Sequence, residues 1–231
     1  MLNDWGDSLG LKGSGSQSVR FEKARIPARF VLAKEILNYE VPVQGAVREH
    51  GDSPMYYGRF MSFLMLEPAS IMIGAVQGAL DEYANFMRTR TTMRPPIVLR
   101  SEDADYRRWY GTAIAKLAAA EALVLQIYDQ WTDAARRNMT GEAPFTMGDD
   151  LRLVLMAREA INMGWDIMQD ILWRTAGSSP ARDGERMQRV FRDTAMIRAH
   201  ALNTYFDTMT RELADEALGT GSAGESFATR Y

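Results

Sequence analysis

The chain has 231 residues, of which 46% are apolar and 25% are charged, so it has room for one large domain and is too hydrophobic for wholesale disorder. Its net charge of −3 gives no general attraction to nucleic acid or to an anionic membrane. The absence of cysteine excludes disulfides and thiolate catalysis. Two histidines, His50 and His200, do not favour a histidine-built metal cluster.

Neither a targeting segment nor a membrane span is predicted. The first residues lack a basic stretch followed by an apolar run, which a signal peptide requires. The longest apolar-rich stretch, residues 60–79, contains Glu67 and is interrupted by Pro68, so it is interpreted as a buried helix. A cytoplasmic location is the default expectation.

Residues 1–45 differ in pattern from the rest of the chain. A turn-rich segment, residues 11–16, precedes residues 19–26, in which apolar and charged residues roughly alternate. This alternation predicts a half-buried strand that stops at Pro27. Because a lone strand is not stable, the sheet that completes it must come from elsewhere. The glycines and serines of residues 13–16 are equally typical of a linker.

Four long helices are predicted, over residues 54–91, 101–138, 148–176 and 183–218. Pro68 either kinks the first helix or separates a short opening helix from it. Breaks are predicted at Pro95-Pro96, around Pro144 and at Gly177 to Pro180. Helices of this length with short connections favour an antiparallel four-helix bundle, and residues 219–231 are expected to be a flexible tail. The fifteen methionines suggest adaptable core filling or an apolar pocket.

Three segments of this chain, in order, resemble parts of one known protein family. Residues 9–27 (LGLKGSGS followed by VRFEKARIP) resemble the last β-hairpin of that family's β-domain. Residues 74–91 resemble its first bundle helix with a basic exit. Residues 173–179 (WRTAGSS), 187–193 (MQRVFRD) and Ala199-His200 resemble its last turn and final helix. On these segments the chain resembles the acyl-CoA dehydrogenase-like flavoproteins. The last segment is more similar to their two-component flavin-dependent monooxygenases, the hydroxyphenylacetate hydroxylase-like group, than to the dehydrogenases.

The resemblance implies an all-α, antiparallel four-helix bundle (residues 46–218) preceded by a short β-hairpin remnant of a β-domain (residues 1–45). It also implies reduced flavin as cofactor, either FMN or FAD, delivered by a separate flavin reductase. The expected substrate is a small aromatic or polycyclic compound, which the enzyme hydroxylates with O2, and the expected assembly is a homotetramer. Two alternatives remain: an acyl-CoA dehydrogenase-type oxidoreductase, and a non-catalytic truncated subunit that assembles with a partner.

His200 is the candidate catalytic residue. The resemblance implies that a histidine in this Ala-His position lies near the reduced flavin and assists its reaction with oxygen. An imidazole can donate a hydrogen bond, or accept the proton of a phenol, near neutral pH. The alternative is a hydrogen-bonded structural histidine within the bundle.

The candidate cofactor-binding residues lie in three places. Arg88, Arg90 and Thr91 lie at the end of the first bundle helix, where the resemblance implies contacts with the flavin phosphate; a solvated helix end is the alternative. Gly177, Ser178 and Ser179 precede the last helix, where the family places cofactor contacts that often come from a neighbouring subunit. The weakest candidates are Ser14 and Ser16 in the N-terminal turn.

Arg192 and Asp193 resemble a family pair. Adjacent residues on a helix point in different directions, so each is predicted to bond to another group and not to its neighbour. A structural role is favoured, in which Asp193 orients a neighbour.

Overall fold

The computed structural model describes residues 2, 4–31, 41, 49, 52–200 and 202–220. Its long helices are α1 (Phe60–Thr89), α2 (Ala104–Thr140), α3 (Met147–Asp166), α4 (Arg186–Arg198) and α5 (Leu202–Leu218). They pack into one bundle in which α1 contacts α2, α3 and α4, while α5 packs against α3. The prediction of an all-α bundle is confirmed.

Helix α1 is the central element of the core. Pro68 lies within it, so the helix accommodates the proline without being divided there. A separate 3-10 turn, Pro54–Tyr57, precedes it. The helix ends before Arg90, and residues 91–99 then form a turn containing the Pro95–Pro96 break and a single antiparallel bridge between Thr91 and Leu99.

Helices α2 and α3 begin at capping residues. Asp103 accepts a hydrogen bond from the Tyr106 amide, so α2 begins after Asp103 and not at the predicted Ser101. Thr146 and Asp149 form a reciprocal capping box at the start of α3. The third helical stretch continues through a π-helical segment, Ile167–Trp173, and a last turn, Arg174–Ala176, and it stops at Gly177 with a φ of +94°.

The single fourth helix predicted over residues 183–218 is wrong, because the structure has two helices there. Helix α4 ends after Arg198, and the His200 amide donates a hydrogen bond to the Ile197 carbonyl in a tight turn. The chain changes direction because the two halves cover different surfaces: α4 packs against α1, and α5 packs against α3. No glycine or proline marks the break, so local pattern did not reveal it.

The core consists of the inward faces of these helices. Seven methionines are among its buried side chains, which supports adaptable core filling as one of their two predicted roles. The largest fully buried side chains are Tyr83, Phe86, Met65, Met72, Ile127, Leu153, Ile167, Met168, Leu172 and Met187. By length and composition alone, α1 and α2 also meet the criterion for membrane-spanning helices, a test that core helices of bundles pass as well.

The strand predicted over residues 19–26 is not formed, and the described part of the chain contains no strand. Residues 2 and 4–18 instead form an N-terminal loop closed by hydrogen bonds from the Leu2 amide to the Ser18 carbonyl and from the Trp5 amide to the Gln17 side chain. A strand needs a partner edge, and none of the described segments supplies one. Residues 32–40, 42–48 and 221–231, which include parts of the predicted β-domain remnant and tail, lie outside the described residues.

Candidate functional site

A cavity of about 480 Å³ lies between the first half of α1 and the end of α4. Most of its walls are apolar side chains, and its polar groups come from Ser14, Glu67 and His200. The lining residues are Leu11, Ser14, Leu64, Met65, Glu67, Pro68, Ile71, Ile161, Ile197, His200 and Phe206. The structure therefore brings together two predicted site residues, Ser14 and His200, that are far apart in the sequence.

The break between α4 and α5 places His200 on the cavity wall. Because α4 stops at Arg198, His200 follows the helix end and Ile197 lies on the same wall one turn earlier. Phe206 of α5 completes this side. An imidazole in such a wall can donate a hydrogen bond to a ligand bound in the cavity, or accept one from it.

The N-terminal loop is attached to α4 through residues 9–11. The Leu11 amide donates a hydrogen bond to Asp193 Oδ1 at 2.7 Å, and Arg192 Nη1 donates one to the Leu9 carbonyl at 3.2 Å. Gly10 lies so close to the backbone of α4 that a Cβ there would overlap the Arg192 carbonyl. The prediction that Arg192 and Asp193 each bond to a different group is confirmed.

A second group of predicted residues lies at the other end of α1. Arg88 and Thr91 are exposed, and the Arg90 guanidinium lies 4.0 Å from the centroid of the Phe86 ring. Gly177, Ser178 and Ser179 are exposed in the turn after the third helical stretch.

Arg100, which is only 5% exposed, connects these two turns. Its Nε donates to the Thr91 carbonyl at 3.4 Å and its Nη1 to the Ala176 carbonyl at 2.9 Å. Its guanidinium also lies 4.7 Å from the centroid of the Tyr106 ring. One buried cation thus brings Thr91 and Gly177 to the same end of the bundle, where exposed hydroxyls and guanidinium groups suit an anion such as a phosphate.

The cavity and the basic end are separate places. Ile71 and Arg88 lie on the same helix, and seventeen residues at 1.5 Å each put them about 25 Å apart. The ribityl phosphate chain of FMN is shorter than this distance. The two places differ in chemistry: apolar walls with an imidazole lie at one, and basic and hydroxyl groups lie at the other.

Most residues of these two places were not singled out as site residues from the sequence, among them Leu11, Glu67, Ile197 and Arg100. Leu11 and Ile197 carry no chemical signal, because apolar residues in such positions are typical of any core. Glu67 is a charged residue within an apolar stretch, and this irregularity is the signal that could have marked it as a site residue. Arg100 follows a proline-rich turn, where an exposed side chain is the usual expectation. Ser16, a predicted cofactor residue, lies 3.4 Å from Ser14 by their hydroxyl oxygens and is not among the cavity-lining residues.

The fold and the cavity define an all-α bundle domain with an apolar binding pocket beside its last helices. A family model described as acyl-CoA dehydrogenase, C-terminal domain, matches residues 67–205, more than half of the chain. The chain therefore belongs to the acyl-CoA dehydrogenase family, of which it carries the C-terminal domain.

Several known proteins similar to this chain are hydroxylases or monooxygenases by name. The chain is 26% identical over 215 residues to a pigment production hydroxylase of Rhodococcus sp., covering 89% of this chain and 51% of that protein. The HsaA monooxygenase of M. tuberculosis has the same fold, with a TM-score of 0.75, 17% identity, and coverage of 96% of this chain and 54% of that one. The complex of TdsC from Paenibacillus sp. with FMN and indole aligns with a TM-score of 0.64 and 21% identity, covering 98% of this chain and 54% of that one. The chain thus spans about half the length of the relatives it matches.

Proposed function

We propose that this chain is the helical flavin-binding and oligomerisation part of a flavin-dependent monooxygenase that hydroxylates a small aromatic compound. The observation that carries the proposal is the cavity, which brings His200 and Ser14 together in a mostly apolar wall. The names of the relatives support it, because each is a hydroxylase or monooxygenase or was solved with FMN and indole. They do not favour the acyl-CoA dehydrogenase alternative.

Each part of the cavity has a task in this scheme. When bound, reduced FMN or FAD supplies two electrons to O2, so that one oxygen atom enters the substrate and the other leaves as water. The apolar side chains orient an aromatic ring and exclude water. The His200 imidazole holds or transfers a proton at the reacting group, and the Ser14 hydroxyl offers a further hydrogen bond.

The separation of the two places supports an oligomer. Because Ile71 of the cavity and Arg88 lie about 25 Å apart on one helix, we infer that the phosphate contacts of Arg88, Arg90, Thr91 and Gly177 to Ser179 serve the flavin of a neighbouring copy. Helix α2 offers an exposed apolar face for assembly, with Ile114 at 45%, Leu125 at 59% and Tyr128 at 57% exposure. A homotetramer in the cytoplasm, supplied with reduced flavin by a separate reductase, completes the proposal.

Anaerobic titration tests the proposal. The purified chain is titrated with reduced FMN and with reduced FAD in the presence of indole, and then mixed with oxygenated buffer while hydroxylated product is measured. We expect a micromolar dissociation constant for at least one flavin. His200→Ala should lower product yield per flavin oxidised, whereas Gln169→Ala, an exposed position on the π-helical segment, should not. Failure of both flavins to bind would refute autonomous catalysis.

A second candidate function rests on the exposed apolar side chains of the N-terminal segment. Val19 is 56%, Phe21 69% and Phe30 68% exposed, although alternation in this segment predicts a half-buried strand. As a non-catalytic subunit, the chain would add this segment, as a strand, to a sheet supplied by a partner. Flavin binding that appears only after a β-domain polypeptide is added would favour this candidate.

Replacing Glu67 with glutamine is expected to change which ligands bind in the cavity. Its carboxylate repels anionic ligands, but the residue is exposed, so solvent screens the repulsion. We expect Glu67→Gln to strengthen binding of indole-3-carboxylate relative to indole by roughly two- to fivefold. Calorimetric titration of both ligands checks this, with Glu159→Gln on α3 as the control. An unchanged ratio would show that Glu67 does not face the bound ligand.

A further inference from the structure

Asp193 is a half-buried carboxylate to which the proposed function gives no task. It is not among the cavity-lining residues, yet it lies on α4 one turn before Ile197, which lines the cavity, and two turns before His200. Its Oδ1 accepts the Leu11 amide at 2.7 Å, at the short end of the range for N–H···O hydrogen bonds. Leu11 in turn forms part of the cavity wall.

The N-terminal loop is closed by its own hydrogen bonds and docks as one unit. The Leu11 carbonyl accepts from the Ser14 amide at 2.9 Å and from the Trp5 indole at 3.3 Å, and the Ser8 hydroxyl donates to the Gly10 carbonyl at 2.8 Å. Loss of the bond at the Leu11 amide therefore acts on the whole unit, including Ser14.

The docking surface is shaped to receive this loop. Gly10 is buried, and a Cβ on it would overlap the Arg192 carbonyl and lie 2.7 Å from the Asp193 nitrogen. Because these are backbone atoms of a helix, they cannot move aside cheaply, so only glycine allows this approach. The Asp193 carboxylate then fixes the register of the loop along α4.

We propose that Asp193 is a positioning residue, which holds the N-terminal loop as a wall of the His200 cavity and thereby determines how tightly the cavity binds its aromatic ligand. The inference rests on the proposed function in taking this cavity as the binding site. Asp193 acts through Leu11 and Ser14 and does not itself touch the ligand.

Three variants of the full chain test the proposal: Asp193→Ala, Asp193→Asn and Gly10→Ala. The first removes the acceptor, the second keeps an oxygen at the same place, and the third blocks the approach from the loop side. Hydrogen–deuterium exchange of the peptide that contains residues 9–16 measures docking, and titration with indole and with reduced FMN measures the cavity. We expect faster exchange and about tenfold weaker binding in Asp193→Ala and Gly10→Ala, as for loss of one hydrogen bond to a charged group.

Rescue by asparagine separates positioning from a general effect of charge. Asp193→Asn should retain most of the wild-type protection and affinity, and Asp105→Ala, which removes an exposed carboxylate of α2, should change neither. Faster exchange of residues 9–16 with unchanged ligand affinity would overturn the positioning role alone. Unchanged exchange in Asp193→Ala would overturn the docking contact itself. A wild-type chain that binds neither ligand would overturn the proposed function and the positioning role together, while exchange would still report on docking.

Discussion

Replacing Asp150 with alanine is expected to lower the free energy of unfolding by about 3 kcal/mol, the scale for breaking a buried charged contact. Asp150 is 4% exposed and its Oδ1 accepts the Ser62 amide at 2.9 Å and the Ser62 hydroxyl. Its Oδ2 lies 3.7 Å from Arg59 Nε. Alanine would leave the amide and hydroxyl of Ser62 and the Arg59 guanidinium without this acceptor. Urea denaturation measures the loss.

Asparagine at the same position provides the comparison. Burial raises the pKa of the Asp150 carboxyl above its ordinary value, against the lowering effects of the Ser62 hydrogen bonds and of Arg59. A neutral amide that keeps Oδ1 should therefore cost less than about 1 kcal/mol. Equal losses in Asp150→Ala and Asp150→Asn would contradict this account. Asp129→Ala, an exposed change on α2, should have little effect.

The same raised pKa gives a pH dependence with a definite sign. In the window from the ordinary value of 3.8 up to the raised pKa, the folded state binds the Asp150 proton more than the unfolded state does. Stability of the wild type relative to Asp150→Asn should therefore fall as pH rises through this window and be greatest below it. Denaturation curves of both proteins at several pH values measure this difference, and a rise with pH would contradict it.

Replacing Arg100 with alanine is expected to lower the free energy of unfolding by about 3 kcal/mol, from two lost charge-assisted hydrogen bonds and one lost cation–π contact. The carbonyls of Thr91 and Ala176 would lose their common donor. The turns that carry Arg90 and Ser178 would then no longer be held together. We therefore also expect a smaller preference for FMN over riboflavin, because riboflavin lacks the phosphate. Thermal denaturation and paired flavin titrations measure the two effects.

Two further variants, Arg100→Lys and Arg107→Ala, serve as controls for Arg100→Ala. Arg100→Lys keeps the charge but has no fork to reach both carbonyls, so it should recover only part of the stability. Arg107→Ala removes an exposed guanidinium of α2 and should change stability by less than about 0.5 kcal/mol. If Arg100→Ala were as stable as Arg107→Ala, the buried arginine would not be what holds the two turns together.

The helices were predictable because their signals are local. Apolar periodicity marked α1, α2 and α3, and Gly177 ended the third stretch as expected. The break before α5 was not predictable, since it arises from packing of α4 and α5 on different helices and carries no glycine or proline. The prediction of a strand over residues 19–26 was wrong for the opposite reason. Its pattern is local, but the stability of a strand depends on a sheet edge, which the described part of the chain does not contain.

The candidate site was predictable for residues that the family resemblance points to. It was not predictable for residues whose role depends only on where the fold places them. His200 and Ser14 were singled out in advance, and the structure places both on one cavity. Their meeting depends on Asp193 accepting the Leu11 amide across 182 residues, which no spacing rule reveals. Arg100 was missed because its two acceptors are backbone carbonyls, which leave no trace in the sequence.

The docking of the N-terminal loop on α4 has a consequence for the order of events during synthesis. The ribosome makes Leu11 long before Asp193, and the contact between them spans 182 residues. Contacts of such long range form late, because the intervening chain must be ordered before they can close. Helices α1, α2 and α3 can therefore assemble while the cavity still lacks one wall. A ligand-binding assay on refolding chains should accordingly lag behind the recovery of helical circular dichroism.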